Sequence, residues 1–270
     1  MHVTESGPPG ATPIVFLHGS MVAGWMWFGQ AEDLSDFRCF MPDLPGFDQS
    51  SEEKWESFAS AADRVADMIV ERCTDGSAHV VGLSLGGIVG LHVAVRHPEV
   101  VRSLLVSGVP FGALPLPLRA LNRVLASLYQ RPWGARLVAT LFGIPRDESR
   151  DAFLATARRT DPHALRAVIA EVNSGPLPQD LHRVGAPVLA VVGERDSLPA
   201  KRAVPYLVTT IPGAVGYVAC RVGHQWNAED RNLFSEMVRM WVDSQGIHPA
   251  LESSEDHFSD SLGSRQDLAD

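Results

Sequence analysis

The segment Gly82-Leu83-Ser84-Leu85-Gly86 constrains the fold of this chain more than any other feature of its sequence. It follows a largely apolar run at residues 78–81 and precedes an apolar stretch with helical spacing at residues 85–96. A serine between two glycines at a strand-to-helix turn is typical of a nucleophile elbow, which exposes the hydroxyl at a helix N-terminus. Glycine suits the flanking positions because a Cβ atom there would collide with the adjoining strand or helix. We therefore predict that Ser84 is a nucleophile.

Short apolar runs alternate with amphipathic stretches along most of the chain. The predicted strands span residues 13–17, 37–41, 78–81, 102–106, 187–192 and 216–220, and the predicted helices span residues 58–73, 85–96 and 228–242. Strands that are apolar at consecutive positions are typical of a parallel sheet covered by helices on both faces. The sequence therefore predicts an α/β fold with a mostly parallel, doubly wound sheet.

One stretch interrupts this alternation. Residues 110–182 contain four helical segments and no good strand, and we interpret them as a helical cap inserted over the C-terminal edge of the sheet. A separate helical domain is the alternative, but the strand pattern resumes after the stretch. The α/β core then comprises residues 1–109 and 183–245. A tail at residues 246–270 is acidic, rich in serine and poor in apolar residues, and we expect it to be disordered.

The charge and composition narrow the classes of partner. The formal net charge is −9, with no basic stripe that would follow a phosphate backbone, so we expect no nucleic-acid partner. No apolar run approaches the roughly 20 residues of a membrane span, and the N-terminus lacks the pattern of a secretion signal. The three cysteines are far apart and are expected to be free thiols. We expect a cytoplasmic monomer or homodimer that takes a small-molecule substrate and has no membrane partner.

A serine nucleophile needs a base, and His224 is the predicted base. It follows Gly223 in a loop before the final helix, whereas most of the other histidines fall in predicted strands or helices, in the cap or at the termini. Asp196, just after the strand at residues 187–192, is predicted to orient the imidazole and to stabilise its charged form. Glu194 is the rival acid, but it would lie nearer the strand. The order serine, acid, histidine fits a nucleophile elbow of this kind.

Two backbone N–H groups are predicted to stabilise the oxyanion. Leu85 follows the nucleophile and supplies one donor, and Ser20 supplies the other from the loop after the strand at residues 13–17. His18, in the same loop, is expected to brace the loop rather than to act as a second base.

Four large apolar residues are candidates for the substrate pocket. Trp25 and Trp27 follow the oxyanion loop, and Leu114 and Leu118 open the cap. If they face inward, the pocket suits an uncharged, apolar acyl or alkyl group. The alternative is that they only pack the cap onto the core.

Together these segments resemble the α/β-hydrolase superfamily. The resemblance rests on six segments in order, namely residues 16–19, 43–47, 82–87, 97–104, 193–196 and 223–224. It implies a mostly parallel eight-stranded sheet with a helical cap, and neither a cofactor nor a metal. Relatives that open epoxides or cleave carbon–halogen bonds carry aspartate where this chain has Ser84, so those reactions are not expected.

The chain departs from the family pattern at two places. Only about a dozen residues precede the strand at residues 13–17, so we expect the first edge strand to be missing and the sheet to have seven strands or fewer. Asp48 stands where the pattern has glycine, and we expect it to face solvent or to disfavour anionic substrates.

The sequence favours a serine hydrolase that cleaves small, largely apolar carboxylic esters through an acyl-enzyme intermediate. Two alternatives remain open. The same triad is compatible with a C–C bond hydrolase, and the same pocket is compatible with a ligand-binding receptor or pseudo-enzyme.

Overall fold

The computed structural model describes residues 1–175 and 177–259, and within these residues eight strands form one sheet. The strands are β1 (Val3–Ser6), β2 (Pro13–Leu17), β3 (Arg38–Pro42), β4 (Ala78–Leu83), β5 (Val101–Ser107), β6 (Val188–Gly193), β7 (Val215–Ala219) and β8 (Leu251–Ser253). The helices are α1 (Phe28–Asp33), α2 (Phe58–Arg72), α3 (Leu85–Arg96), α4 (Leu116–Tyr129), α5 (Pro132–Leu141), α6 (Glu148–Arg159), α7 (Pro162–Ser174), α8 (Leu198–Thr210), α9 (Trp226–Glu229), α10 (Arg231–Ser244) and α11 (Ser254–Ser259). No helix in this part of the chain is both long and apolar enough to cross a membrane.

The strand order is β1-β3-β2-β4-β5-β6-β7-β8, and all the pairs from β3 to β7 are parallel. The chain moves outward in one direction from β2 to β3 and in the other direction from β4 to β7. The order therefore reverses between β2 and β4, and a crevice opens at the carboxyl ends of strands on either side of such a switch point. The predicted nucleophile and oxyanion loop follow these two strands.

Two apolar cores, one on each face, account for the continuous apolar strands. In β2, the side chains of Val15 and Leu17 belong to one core and those of Ile14 and Phe16 to the other. All four are fully buried, because successive side chains of a strand point to opposite faces and both faces carry helices. The predicted mostly parallel α/β sheet is confirmed.

The predicted total of seven strands or fewer is wrong. Only β1 precedes β2, and it pairs antiparallel with β3. The described residues nevertheless form eight strands, because β8 adds to the opposite edge.

The expectation of a disordered tail from residue 246 is wrong for its first part. Residues of β8 pair antiparallel with β7, with Leu251 opposite Ala219, and α11 follows. The open edge of β7 offers unpaired backbone groups, and burial of the Leu251 side chain adds apolar contact. Gly216 makes room for this return, since a Cβ atom there would lie 2.6 Å from the Ser254 hydroxyl. Residues 260–270 lie outside the described residues.

Helices α4 to α7 fill the chain between β5 and β6, with no strand among the described residues of this stretch. Asp48 ties α6 to the core: its carboxylate accepts hydrogen bonds from the Thr156 hydroxyl and, at 2.8 Å, from the Arg159 guanidinium. Asp48 is 5% exposed. The expectation that it faces solvent or repels anionic substrates is therefore wrong, because the buried Thr156 hydroxyl and the exposed Arg159 guanidinium of the cap both engage its carboxylate.

Candidate active site

Ser84 occupies the sharp turn between β4 and α3. Its backbone has φ 54° and ψ −113°, outside the usual regions for a residue with a Cβ atom. The neighbouring glycines are required: a Cβ atom at Gly82 would lie 2.4 Å from the Gly86 carbonyl oxygen, and one at Gly86 would lie 2.0 Å from that of Leu17. The strained turn places Ser84, partly exposed, at the N-terminus of α3 and on the wall of a cavity.

His224 and Asp196 are in direct contact. Nδ1 of His224 lies 2.8 Å from Oδ2 of Asp196, whose other carboxylate oxygen accepts a 2.6 Å hydrogen bond from the Ser197 N–H. The Asp196 side chain is 2% exposed, whereas that of His224 is 42% exposed and lines the same cavity as Ser84. Glu194 is occupied elsewhere, since its carboxylate accepts from the Arg221 N–H. Of the two rival acids, only Asp196 reaches the imidazole.

The surroundings of His224 favour its charged form. Partial burial lowers its pKa, but the hydrogen bond and charge of Asp196, together with the charge of Glu229, outweigh this effect, and the pKa is raised above its ordinary value. Such an imidazole is stabilised once it has taken a proton. No hydrogen bond joins Ser84 to His224 among the described residues, but both side chains line the same cavity.

The predicted oxyanion donors flank Ser84. Leu85 is the first residue of α3, and its N–H belongs to the first helical turn, where no intrahelical acceptor is available. Ser20 lines the cavity beside Ser84. Met21, next to Ser20, has φ 64°, so the loop turns sharply at this point.

His18 braces the oxyanion loop against the loop after β3. Its Nε2 accepts a 2.9 Å hydrogen bond from the Leu44 N–H, so its Nδ1 carries the proton and donates to the Gly19 carbonyl at 2.8 Å. Complete burial lowers the pKa of His18, which favours this neutral form. Both ring nitrogens are engaged, as a bracing role requires.

The cavity has a volume of about 500 Å³ and is largely apolar. Leu114 and Leu118 line it, as the sequence predicts for these two residues. Its wall also includes residues that the sequence does not mark as pocket residues: Met21, Val22, Met26, Asn122, Phe142, Ile169, Val172, Arg195, Gln225 and Glu229. Ile169 and Val172 are one turn apart on α7, so the helical spacing of this segment could have indicated their shared face.

The prediction that Trp25 and Trp27 line the pocket is wrong. The Trp25 indole N–H donates to the Thr156 hydroxyl at 2.9 Å, and the Trp27 ring is buried with its centroid 5.2 Å from that of Phe16. Residues 24–27 form a 3-10 helix, in which successive side chains differ by about 120° in direction. Position 25 therefore faces the cap and position 27 the core, whereas Met26 between them faces the cavity.

One group of potential metal ligands lies away from the cavity. Cys220, Glu252 and His257 have ligand atoms within 4.8 Å of one another at the β7–β8 edge of the sheet. Nδ1 of His257 and a carboxylate oxygen of Glu252 are 2.8 Å apart, so a hydrogen bond already joins two of the three. The group does not contribute to the cavity that holds Ser84 and His224.

Comparisons with known proteins place the chain among ester hydrolases in sequence and among α/β hydrolases in fold. The chain is 30% identical over 245 residues to pimeloyl-[acyl-carrier protein] methyl ester esterase of Aeromonas hydrophila, covering 85% of this chain and 94% of that protein. Among solved structures, the enol-lactonase from Burkholderia xenovorans matches with a TM-score of 0.74 at 21% identity, over 89% of this chain and 95% of that one.

The carboxylesterase CesB from Bacillus subtilis matches with a TM-score of 0.72 at 20% identity, over 91% of this chain and 88% of that one. At this level of sequence identity, the similarity to the enol-lactonase and to CesB supports the fold alone. The family model for the alpha/beta hydrolase fold matches residues 12–161, from the start of the parallel sheet through most of the cap. With the switch point, the strained serine turn and the histidine–aspartate pair in the order this fold uses, the chain belongs to the alpha/beta hydrolase family.

Proposed function

We propose that this chain is a serine hydrolase that cleaves small, largely apolar carboxylic esters through an acyl-enzyme intermediate. The hydrogen bond between His224 and Asp196, on the cavity that also holds the strained Ser84, carries the proposal. Hydrolysis of an ester bond is also the activity for which the similar Aeromonas proteins are named, as pimeloyl-[acyl-carrier protein] methyl ester esterases.

In the proposed reaction, the Ser84 hydroxyl oxygen attacks the ester carbonyl carbon and its proton passes to Nε2 of His224. Asp196 holds the imidazole by Nδ1 and stabilises its positive charge. The carbonyl oxygen becomes an oxyanion, which the backbone N–H groups of Leu85 and Ser20 stabilise. The intermediate then collapses, the C–O bond to the alcohol breaks, and the leaving oxygen takes the proton from His224.

A water molecule completes the cycle. His224 takes one proton from the water as its oxygen attacks the acyl carbon, and a second tetrahedral intermediate forms. Its collapse breaks the bond to the Ser84 oxygen, which recovers its proton from His224. The products are the free acid and the unchanged enzyme.

The cavity wall favours apolar acyl or alkyl groups. Leu114, Leu118, Phe142, Ile169 and Val172 present apolar side chains above the site, and a volume of about 500 Å³ suits a small molecule. Polar groups stand at its rim, Arg195 and Glu229 among them, with opposite charges. An uncharged ester enters such a site with the smallest desolvation cost.

A screen of p-nitrophenyl esters of increasing acyl length tests the proposal, with Ser84→Ala as the comparison. We expect turnover by the wild type and a loss of at least about 10³-fold in Ser84→Ala. Labelling by a fluorophosphonate should require Ser84 as well. Full turnover by Ser84→Ala would refute the assignment.

The same samples separate the two alternatives. A C–C bond hydrolase would turn over a vinylogous diketone faster than any ester in the screen. A receptor of the same fold would be labelled at Ser84 and yet turn over neither class of compound.

A further inference from the structure

The outer surface of α4 and α5 exposes an unusual amount of apolar side chain. Of the ten large apolar residues that are exposed within the described residues, seven lie on these two helices. Six of them form what we call the cap face: Leu116, Leu121, Val124, Trp133, Leu137 and Leu141. Their exposed fractions range from 44% at Leu137 to 77% at Leu116. Single exposed apolar residues are ordinary, but a concentration of this kind marks an interaction surface.

The six residues belong to two helices that pack closely on each other. A Cβ atom at Gly134 would lie 2.2 Å from the Leu128 carbonyl oxygen, so the glycine permits the close approach of α5 to α4. Trp133, Leu137 and Leu141 recur at four-residue intervals and form one stripe along α5. Leu121 and Val124 are three residues apart on α4 and likewise share a side.

The surroundings of the cap face are basic in a chain whose net charge is −9. Residues 100–146 contain no aspartate or glutamate. This stretch supplies the arginines of α4, α5 and the adjoining loops: Arg119, Arg123, Arg131, Arg136 and Arg146. Within the described residues, none of these five arginines forms an ion pair with an acidic side chain. Arg159 of the same cap, in contrast, is paired with Asp48.

A groove of about 460 Å³ between α4 and α7 gathers part of this charge. Arg123 and Arg131 line it together with Arg166, and its wall includes the apolar side chains of Leu165 and Ile169. None of these three arginines is ion-paired within the part of the chain that the structure describes. Guanidinium groups over an apolar floor suit an anionic head group with an attached hydrocarbon.

The cap face also borders the cavity that holds Ser84. Leu118 of α4 is 38% exposed and lines that cavity, as does Phe142 at the end of α5. Leu121 lies one turn beyond Leu118, and Leu141 precedes Phe142. Ile169 lines both the groove and the cavity. A molecule held at the cap face is therefore next to residues that line the cavity.

We propose that the cap face docks on an anionic lipid surface, from which apolar esters enter the cavity. The entry of esters rests on the proposed function, whereas the docking does not. Leucines and a tryptophan on one side, with arginines beside them, are the composition of helices that lie in a membrane interface. The unpaired arginines add attraction to anionic head groups. The expectation of no membrane partner rests only on the lack of a predicted membrane-spanning segment and of a secretion-signal pattern. Neither observation bears on docking to one side of a membrane.

Co-sedimentation of the full chain with vesicles tests the docking. We expect binding to phosphatidylglycerol vesicles to be at least about ten-fold stronger than binding to phosphatidylcholine vesicles, and to weaken as salt is added. Arg123→Gln and Arg131→Gln should each weaken binding about five-fold. Leu121→Ser combined with Leu137→Ser should weaken it at least about ten-fold through lost apolar burial.

Two controls separate docking from folding and from chemistry. Val70→Ser replaces a side chain that is 60% exposed on α2, outside the cap, and should bind vesicles like the wild type. Ser84→Ala should also bind like the wild type, because docking does not require the nucleophile. The circular dichroism and melting temperature of the double leucine variant should match those of Val70→Ser.

Three outcomes would overturn the proposal. The wild type does not bind phosphatidylglycerol vesicles, or it binds both vesicle types equally, or the cap-face variants bind as tightly as Val70→Ser. A purified acyl-carrier protein, which is acidic, serves as the rival partner. If it binds through the cap face and the vesicles do not, the surface docks a protein and the lipid proposal is wrong.

Discussion

A Cβ atom on Gly108 would lie 2.9 Å from both Cε1 and Nδ1 of His224 and 3.1 Å from Oδ2 of Asp196. Gly108 directly follows β5, and its φ of 62° belongs to the left-handed region that favours glycine. The absence of a side chain at the end of one strand therefore makes room for a histidine–aspartate pair from two later loops.

We expect Gly108→Ala to push the imidazole away from its position beside Asp196. A displacement of about 1 Å in a catalytic group costs about 100-fold in rate, so kcat on a p-nitrophenyl ester should fall by at least that factor. Gly112→Ala is the matched control, since Gly112 has φ 75° and a Cβ atom there meets nothing within 4 Å. Both variants should lose about 1–2 kcal/mol of stability from the left-handed backbone, but only Gly108→Ala should lose activity. Equal kcat in the two variants would contradict this role for Gly108.

The pH dependence of the reaction should report the pKa of His224. The base acts when neutral, so kcat/KM should rise with pH through the raised pKa of His224 and level off above it. In Asp196→Asn, the burial that lowers the pKa remains, whereas the carboxylate that raises it is gone. The rising limb should therefore move to lower pH, and the plateau should fall by about 10⁴-fold because the imidazole is no longer held in the correct tautomer. A rising limb at the same pH in both proteins would show that another group controls it.

Glu229 should also affect the rising limb of the pH profile of kcat/KM, but less strongly than Asp196 does. Its carboxylate accepts a 2.9 Å hydrogen bond from the Gly223 N–H, and its charge contributes to the raised pKa of His224. Glutamine keeps an acceptor for that N–H and removes only the charge. We expect Glu229→Gln to move the rising limb of kcat/KM to lower pH by less than Asp196→Asn does, with a far smaller loss at the plateau. An unchanged or upward-shifted limb would contradict this electrostatic effect.

Local patterns predicted the elements that surround the site. The run at residues 13–17 and the stretch at residues 85–96 coincide with β2 and α3, because one is apolar throughout and the other is bounded by a glycine turn and a proline. The approach of Ser84, Asp196 and His224 to one cavity follows from the parallel order of β4, β6 and β7, whose carboxyl ends share one edge of the sheet.

Two predictions are wrong where tertiary contacts decide which way a side chain points or whether a segment is ordered. Periodicity does not show that residues 24–27 wind as a 3-10 helix, and the prediction therefore assigns Trp25 and Trp27 to the wrong surroundings. The composition of the tail indicated disorder, but a free strand edge at β7 recruits residues 251–253. The residues that make these contacts are not adjacent to one another in the sequence. The local pattern of residue types therefore does not show such contacts.

The attachment of the cap to the core should depend on Asp48. Its carboxylate is buried and binds the Thr156 hydroxyl and the Arg159 guanidinium, and its φ of 41° is one that asparagine tolerates. Asp48→Asn therefore removes the charge without new backbone strain, and should lower the free energy of unfolding by about 1–2 kcal/mol, a range that allows for the exposure of Arg159.

The loss should be local to the cap. Amide hydrogen exchange in α6 should accelerate in Asp48→Asn and in Arg159→Met, since each variant breaks the same ion pair. Arg158→Met changes the neighbouring exposed arginine, which is not ion-paired among the described residues, and should stay within about 0.5 kcal/mol of the wild type. If Asp48→Asn exchanges and unfolds like Arg158→Met, the cap is held by its other contacts with the core, such as the Trp25–Thr156 hydrogen bond, and the aspartate at this turn has no part in attaching it.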